Sequence, residues 1–328
     1  MSTPTQLATN RALSTHVDPT LSADELTRLA ALLGHQRHVE VVDVGANPLV
    51  GEPPLYATLL SAGLARVTGF EPQPDALAAL RARAGDGERF LGVAVGDGAE
   101  HELRICTEGG FSSLLEPDPD QLAVLTDFPR LAAVTERVRV PTVRLDDLAE
   151  IDRVDLLTLD AQGSERAILR HAGRLLATTV AVQVETAFHR IYAGAPVFAQ
   201  IDLQLREAGF VPHTFVSTRT WPLAPVTWAD RLEAHSRHLV EADVLYVRDP
   251  ARLDLLHPGA LAAGVLVAAG AYGCLGLGLV LLRELIRRGV LAHAVEHEYR
   301  SLVTPGPGVC AEPTRAGPPT TPAAGPGR

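Results

Sequence analysis

Residues 39–56, VEVVDVGANPLVGEPPLY, hold the feature that most limits what this chain can fold into. A run of β-branched residues stops at Asp43 and Gly45. It passes a turn through Asn47, Pro48 and Gly51, and a helical pattern begins near Pro53, over about 53–64. A buried strand that breaks at a glycine turn and feeds a helix belongs to a layered α/β structure. Such a turn is also the usual entrance to a nucleotide-like site.

The alternation continues down the chain. RVTGFEP (66–72) reads as a second strand, followed by a helix begun at Asp75. RFLGVAVGD (89–97) is a third strand, and HELRICTE (101–108) an inserted hairpin strand. VPTVRLDDL (140–148) is a short strand running into a cap. VDLLTLDAQGSE (154–165) is a buried strand that breaks at Gly163, with a helix, RAILRHAGRLL, behind it. VAVQVETAF (180–188) is a fifth major strand, and 197–210 an amphipathic helix ending at Gly209. PHTFVST and ADVLYVRD (242–249) are the last strands. No helix separates them, so they are expected to pair antiparallel at one edge. The whole pattern predicts a parallel sheet with helices on both faces.

The ends read differently. Residues 1–20 are polar and read as loose chain. LSADELTRLAALLGH (21–35) reads as a helix, with Ser22 as its cap and Glu25 as the capping-box partner. Residues 251–303 read as helical and 304–328, rich in Pro and Gly, as disordered. Residues 259–282 carry no charge and meet the length rule for a membrane span. Gly264, Gly270, Gly273, Gly276 and Gly278 oppose that reading. Glycines this dense predict a break near 270–278 into two short helices.

The chain has 328 residues, 46% of them apolar, enough for a sizeable core, and a net charge of −10. It contains no lysine. An acidic chain lacks the basic face that nucleic acid requires. The Ala, Gly, Arg and Pro bias points to a GC-rich bacterial genome. Cys106, Cys274 and Cys310 lie far apart, at a spacing that fits no metal site. Together with an N-terminus that lacks the order of a signal peptide, they point to a cytoplasmic protein.

In an open parallel sheet, ligands bind beyond the carboxyl ends of the strands. Asp43, Glu71, Asp97 and Asp160 all fall at or near such ends. Acids there repel an anionic ligand and suit one with hydroxyls and a positive charge. Glu71 closes the second strand, where a carboxylate can accept two hydrogen bonds from a ribose diol. A dinucleotide would need G-x-G-x-x-G, and the stretch from Gly45 fails that pattern. S-adenosylmethionine (SAM) has the ribose, no phosphate, and two positive charges.

VVDVGAN, GFEPQPDALAAL, VAVGD, FSSLLEP, VPTVRLDDL, LLTLDAQGSERAIL and VQVE follow one another in the order seen in FkbM-type methyltransferases, and the sequence resembles that family over about 39–215. The resemblance implies a Rossmann-like, seven-stranded SAM-dependent methyltransferase sheet with helices on both faces, plus a C-terminal helical appendage. The implied division is an N-terminal helical extension (1–38), the methyltransferase domain (39–250), the appendage (251–303) and the tail (304–328). By position, Asp43, Gly45 and Asn47 would shape the methionine end of the cofactor site. Glu71, with Pro72 beside it, would hold the ribose. Val95, Gly96 and Asp97 would lie near adenine, and Asp160 near the transferable methyl. The family commonly shows D-x-G-A-N-x-G and K-x-D-x-E-G-x-E. Here Gly51 comes late, and Thr158 and Gln162 replace the Lys and the first Glu.

Methyl transfer from a sulfonium needs alignment above all, and an alcohol acceptor must also lose a proton. Asp160 is one candidate base. His189, four residues after Glu185, is the other, with Glu185 to orient it. Ser112 and Ser113 in FSSLLEP are candidates for a lid, and Trp221 and Trp228 for an acceptor pocket. The leading expectation is O-methylation of a hydroxyl on a small molecule, sugar or natural-product scaffold. Methylation of a carboxylate or a peptide side chain, and a non-catalytic SAM-binding module, are the alternatives. The expected partners are the acceptor and a second copy of the chain in a homodimer, with no nucleic acid, membrane or metal.

Overall fold

The structure, a computed structural model, describes residues 13–18, 20–46, 53–232 and 238–304. Asn47, Pro48 and Gly51 of the first turn, and the tail from 305 onward, lie outside the described residues.

The chain enters as a short strand, β1 (Leu13–Thr15), where loose chain was expected. Helix α1 (Ala23–Leu32) follows, and its first turn is a capping box. The Ser22 backbone donates to Glu25 Oε2 at 2.8 Å, and the Glu25 amide donates to Ser22 Oγ at 3.4 Å. Next come β2 (Val39–Val44), α2 (Ala57–Ser61), β3 (Ala65–Phe70), α3 (Pro74–Arg83) and β4 (Glu88–Leu91). The expected third strand is cut after Leu91, and its continuation, β5 (Ala94–Val95), turns away from β3 to pair with another sheet. That smaller sheet is completed by β6 (Glu100–Cys106) and β7 (Val134–Val143), in the order β5-β7-β6. HELRICTE does form a strand, but β6 pairs antiparallel with β7 across a long connection with short helices in it, not in a hairpin.

The main sheet resumes with β8 (Leu156–Leu159), α4 (Glu165–Arg170), α5 (Gly173–Leu176), β9 (Ala181–Ala187) and α6 (Phe198–Glu207). It closes with β10 (Phe210–Trp221) and β11 (His238–Arg248), both longer than the sequence suggested and antiparallel to each other. The eight-stranded order is β1-β10-β11-β9-β8-β2-β3-β4. It is the Rossmann-like seven-stranded sheet with β1 added antiparallel along β10. Strands β4, β3, β2, β8 and β9 are mutually parallel. The chain leaves β2 in one direction and returns to β8 on its other side, so the topological switch point falls between β2 and β8.

Both faces of the sheet are buried, which explains the nearly continuous apolar run of β2. Val42 and Val44 pack with Ile168 and Leu205 from α4 and α6. Val39 and Val41 pack on the other side with Leu26 and Leu29 of α1 and with the C-terminal helices. Those helices are α7 (Pro258–Gly270), α8 (Leu275–Arg287) and α9 (Ala294–Val303). Helix α7 is buried at every residue from Leu261 to Gly270, as a helix apolar on all sides must be. The break predicted within 259–282 lies at Ala271–Cys274, and no helix among the described residues is long and apolar enough to cross a membrane. Arg37 ties α7 to the sheet: it donates to Asp155 Oδ1 at 2.7 Å and to the Gly259 carbonyl at 2.9 Å.

Candidate functional site

The ends of the parallel strands gather Gly45, Glu71 and Asp160 around one cavity of 380 Å³. Gly45 lies at the switch point with φ +85°, and a methyl group there would overlap the carbonyl oxygen of Asp160. Two strand ends can approach this closely only without a side chain at 45. The contact leaves the crevice above them open to a ligand.

Glu71 closes β3 and is 2% exposed. Its Oε1 accepts from the Gln73 amide at 2.7 Å, and its other oxygen has no protein partner among the described residues. Burial raises its pKa, the Gln73 amide opposes that shift, and Asp160 adds to it. A carboxylate so held has one oxygen to offer to hydroxyls. Pro72 and Val95 line the cavity beside it.

Other expected residues are placed differently. The Asp43 carboxylate does not line the cavity. It follows Val39 and Val41 onto the opposite face of the sheet, where it accepts from Tyr56 Oη and Thr158 Oγ1, each at 2.6 Å. Thr158, which takes the place of a lysine, thus supplies a neutral donor to a buried acid whose pKa burial raises. Asp97 also points away. It accepts from the Ala99 amide at 2.9 Å and lies 2.8 Å from His101 Nε2, which brings its pKa down to about 2. Gly96 packs against Thr142, and its amide donates to the Val143 carbonyl at 2.9 Å, so it serves the β5–β7 pairing.

Glu185 and His189 are not brought together as a pair. His189 Nε2 donates to the Gln121 carbonyl at 3.1 Å, and its Nδ1 lies 3.0 Å from His238 Nε2. Both His189 nitrogens are thus engaged by partners other than Glu185. Glu185 instead belongs to a cluster of acids behind the cavity. Gln162 Nε2 donates to Asp160 Oδ1 at 2.7 Å and to Glu185 Oε2 at 2.8 Å. Asp160, Glu185 and Glu241 lie close enough to act on one another's ionisation. Burial, then Asp160, Glu241 and Asp243, push the Glu185 pKa well up. Asp160 opens onto the cavity but is ringed by protein, and that desolvation raises its pKa as well. Arg219 balances part of this charge through an ion pair with Glu241 at 2.8 Å.

Arg219, Glu241 and the aromatic wall of Phe111, Phe128 and Trp221 were not legible as site residues from spacing, although Trp221 was a pocket candidate. Arg219 faces Glu241 across β10–β11, a register that passes through three irregularities. The FSSLLEP segment does wall the cavity. Ser113 Oγ donates to the Gln162 carbonyl at 2.6 Å, and Ser112 Oγ accepts from the Cys106 amide at 3.1 Å. Trp221 donates to the Thr126 carbonyl at 2.7 Å. No group of three or more metal-ligating side chains occurs among the described residues.

The sequence matches the methyltransferase FkbM domain over residues 43–212. No curated protein matches it in sequence. Among solved structures, magnesium protoporphyrin IX methyltransferase from Synechocystis PCC 6803, with bound SAM, is 14% identical. That match covers 69% of this chain and 78% of that one, with a TM-score of 0.31. Precorrin-6y C5,15-methyltransferase from Geobacter metallireducens is 12% identical over 73% and 96% of the two chains, with a TM-score of 0.32. A SAM-dependent methyltransferase from Aquifex aeolicus is 8% identical over 68% and 89%, with a TM-score of 0.29.

Proposed function

The chain belongs to the FkbM methyltransferase family, SAM-dependent enzymes, and from that premise we propose that it methylates a hydroxyl oxygen of a small molecule or glycan. When bound, SAM supplies an electrophilic methyl on a sulfonium. The residues at the cavity suit that group: a bare glycine at the strand crossing, a buried carboxylate with one oxygen unpartnered among the described residues, and no phosphate-binding glycine pattern. In this reading Gly45 gives the cofactor backbone room, Glu71 binds the ribose hydroxyls beside Pro72 and Val95, and Asp160 faces the transferable methyl.

The observation that carries the choice of a hydroxyl is the charge at the acceptor end. Asp160, Glu185 and Glu241 stand together there, and Arg219 beside them is already paired with Glu241. Among the described residues, a carboxylate acceptor would meet an acidic wall and no unpaired cation in the cavity lining. A hydroxyl finds in Asp160 a proton acceptor whose pKa burial brings nearer to neutrality, which favours general-base work. Phe111, Phe128 and Trp221 exclude water and offer apolar faces to the acceptor's carbon frame.

Free Cys106 and Cys274 agree with a cytoplasmic enzyme, and an acceptor from bacterial natural-product biosynthesis completes the reading. The test uses methyl-labelled SAM with parallel panels of alcohols, phenols, sugars and carboxylic acids. Label is expected in alkali-stable ether products. Label recovered only in alkali-labile esters would overturn the choice of acceptor atom.

A further inference from the structure

Gln162 occupies a position where the sequence pattern of the family commonly has glutamate, and its surroundings make that difference informative. Its backbone is left-handed, φ 47°, a conformation unfavourable for a residue with a Cβ. The Ser113 hydroxyl holds it there by donating to its carbonyl at 2.6 Å. The orientation of its side chain is fixed by chemistry. Tyr192 Oη donates to Gln162 Oε1 at 2.9 Å, which leaves Nε2 to donate to Asp160 and Glu185. The same hydroxyl lies 3.0 Å from the Phe111 carbonyl. Gln162 therefore joins the end of β8, strand β9 and the loop at Tyr192 through its side-chain amide, and the Ser113 wall of the cavity through its backbone carbonyl. A carboxylate at 162 has no donor for either acid.

We propose that Gln162 is a positioning residue, whose amide fixes the Asp160 carboxylate in the cavity and ties its orientation to the Phe111–Ser113 wall. The proposal rests on the reading of Asp160 as the residue that faces the transferable methyl. The groups that act on Asp160 are Glu185 on β9, Glu241 and Asp243 on β11, Arg219 on β10, Glu71 after β3, Glu165 on α4 and Tyr192. Against that largely acidic background, the Gln162 amide favours the ionised form of Asp160. Its loss moves ionisation to higher pH.

The probes are SAM and S-adenosylhomocysteine, which differ by the methyl and its positive charge. Calorimetry over a pH series gives the ratio of their affinities, and a fixed anion near the methyl favours SAM. D160N is expected to shift this ratio toward S-adenosylhomocysteine at every pH. Q162M is expected to shift it in the same direction by about threefold or more near neutral pH, and to recover toward the wild-type ratio as pH rises. Y192F, which frees the amide while leaving both the Gln162 and Asp160 side chains in place, is expected to give a smaller shift of the same sign. A wild-type ratio in Q162M and Y192F, alongside a shifted D160N, would overturn the role of Gln162 alone. An unshifted D160N would overturn the reading of Asp160 and this proposal with it.

Discussion

Three substitutions test which residues reach the ligand and which only look placed to do so. Glu71 has one oxygen committed to Gln73 and one without a partner among the described residues. Glu71→Ala is expected to weaken SAM binding by about 2–4 kcal/mol, the loss of charge-assisted hydrogen bonds to a diol. Unchanged affinity by calorimetry would remove the ribose assignment. Asp160 and His189 were equal candidates for the base, but the His189 ring is engaged with His238 and Gln121 and lies outside the cavity lining. Asp160→Asn is expected to lower single-turnover methylation by about 10²-fold or more, and His189→Ala by less than about threefold. The reverse order would show that His189 swings into the cavity during the reaction. The residues whose backbone position matters were the legible ones: Gly45 and Glu71 sit where strand ends demand them. The direction of a side chain was less legible. Asp43 and Asp97 fall at the expected strand ends, yet hydroxyls in one case and a histidine in the other draw their carboxylates elsewhere.

At the level of elements, the uncharged stretch 259–282 is the instructive case. Ala and Gly make it apolar without making it bulky, and bare glycines allow close helix contact. A methyl group at Gly278 would overlap the Tyr299 hydroxyl, so α8 and α9 approach as they do only because position 278 is bare. The turn at Ala271–Cys274 folds α8 back on α7, and both pack on the face of the sheet that also carries α1. The full-length protein is therefore expected in the soluble fraction after lysis without detergent. Recovery only in the membrane pellet, with release on truncation at residue 258, would contradict this packing. Boundaries were the weakest part of the reading. The expected helix at 53–64 narrows to Ala57–Ser61, and the one at 166–176 divides into α4 and α5. Packing partners, not local propensity, set those limits.

The molecule as a whole buries Glu71 and Glu165, half-buries Asp43, Glu185 and Glu241, and leaves Asp160 open onto the cavity. Asp43, Glu71, Asp160, Glu165, Glu185 and Glu241 all have raised pKa values, with burial the first cause in each, and Glu165 reaches about 7. A carboxyl raised in the folded state stabilises that state while both forms are protonated, and the contribution is lost as pH rises through the folded value. Asp97, Glu116 and Glu284, lowered to about 2 by their partners, act the opposite way, losing their contribution below the ordinary carboxyl range. Thermal stability without ligand is therefore expected to peak near pH ~5, falling toward pH ~2 and again toward pH ~8. Glu165 Oε1 accepts from the Ala161 and Gly163 amides at 2.9 and 3.1 Å, and a glutamine carbonyl can do the same. Glu165→Gln is expected to keep the fold and recover about 3 kcal/mol of the alkaline loss. A melting temperature that climbs steadily to pH ~8 in the wild type would show that these acids ionise freely.

The sequence by itself determined the alternation of strands and helices, the glycine crossing after β2, the acid after β3 and the break within 259–282. Each of these follows from local chemistry: β-branched runs, a residue without a Cβ, or glycines too dense for one helix. Tertiary structure alone decided that β1 extends the sheet, that α7 lies beneath it, and that Arg219 meets Glu241 beside Asp160. Those contacts join residues far apart in the chain, through a register with irregularities and a strand order that reverses between β2 and β8. The composition of any one segment contains neither. The pattern of charge in the cavity, on which the proposed acceptor rests, therefore arises only when the strands are laid side by side.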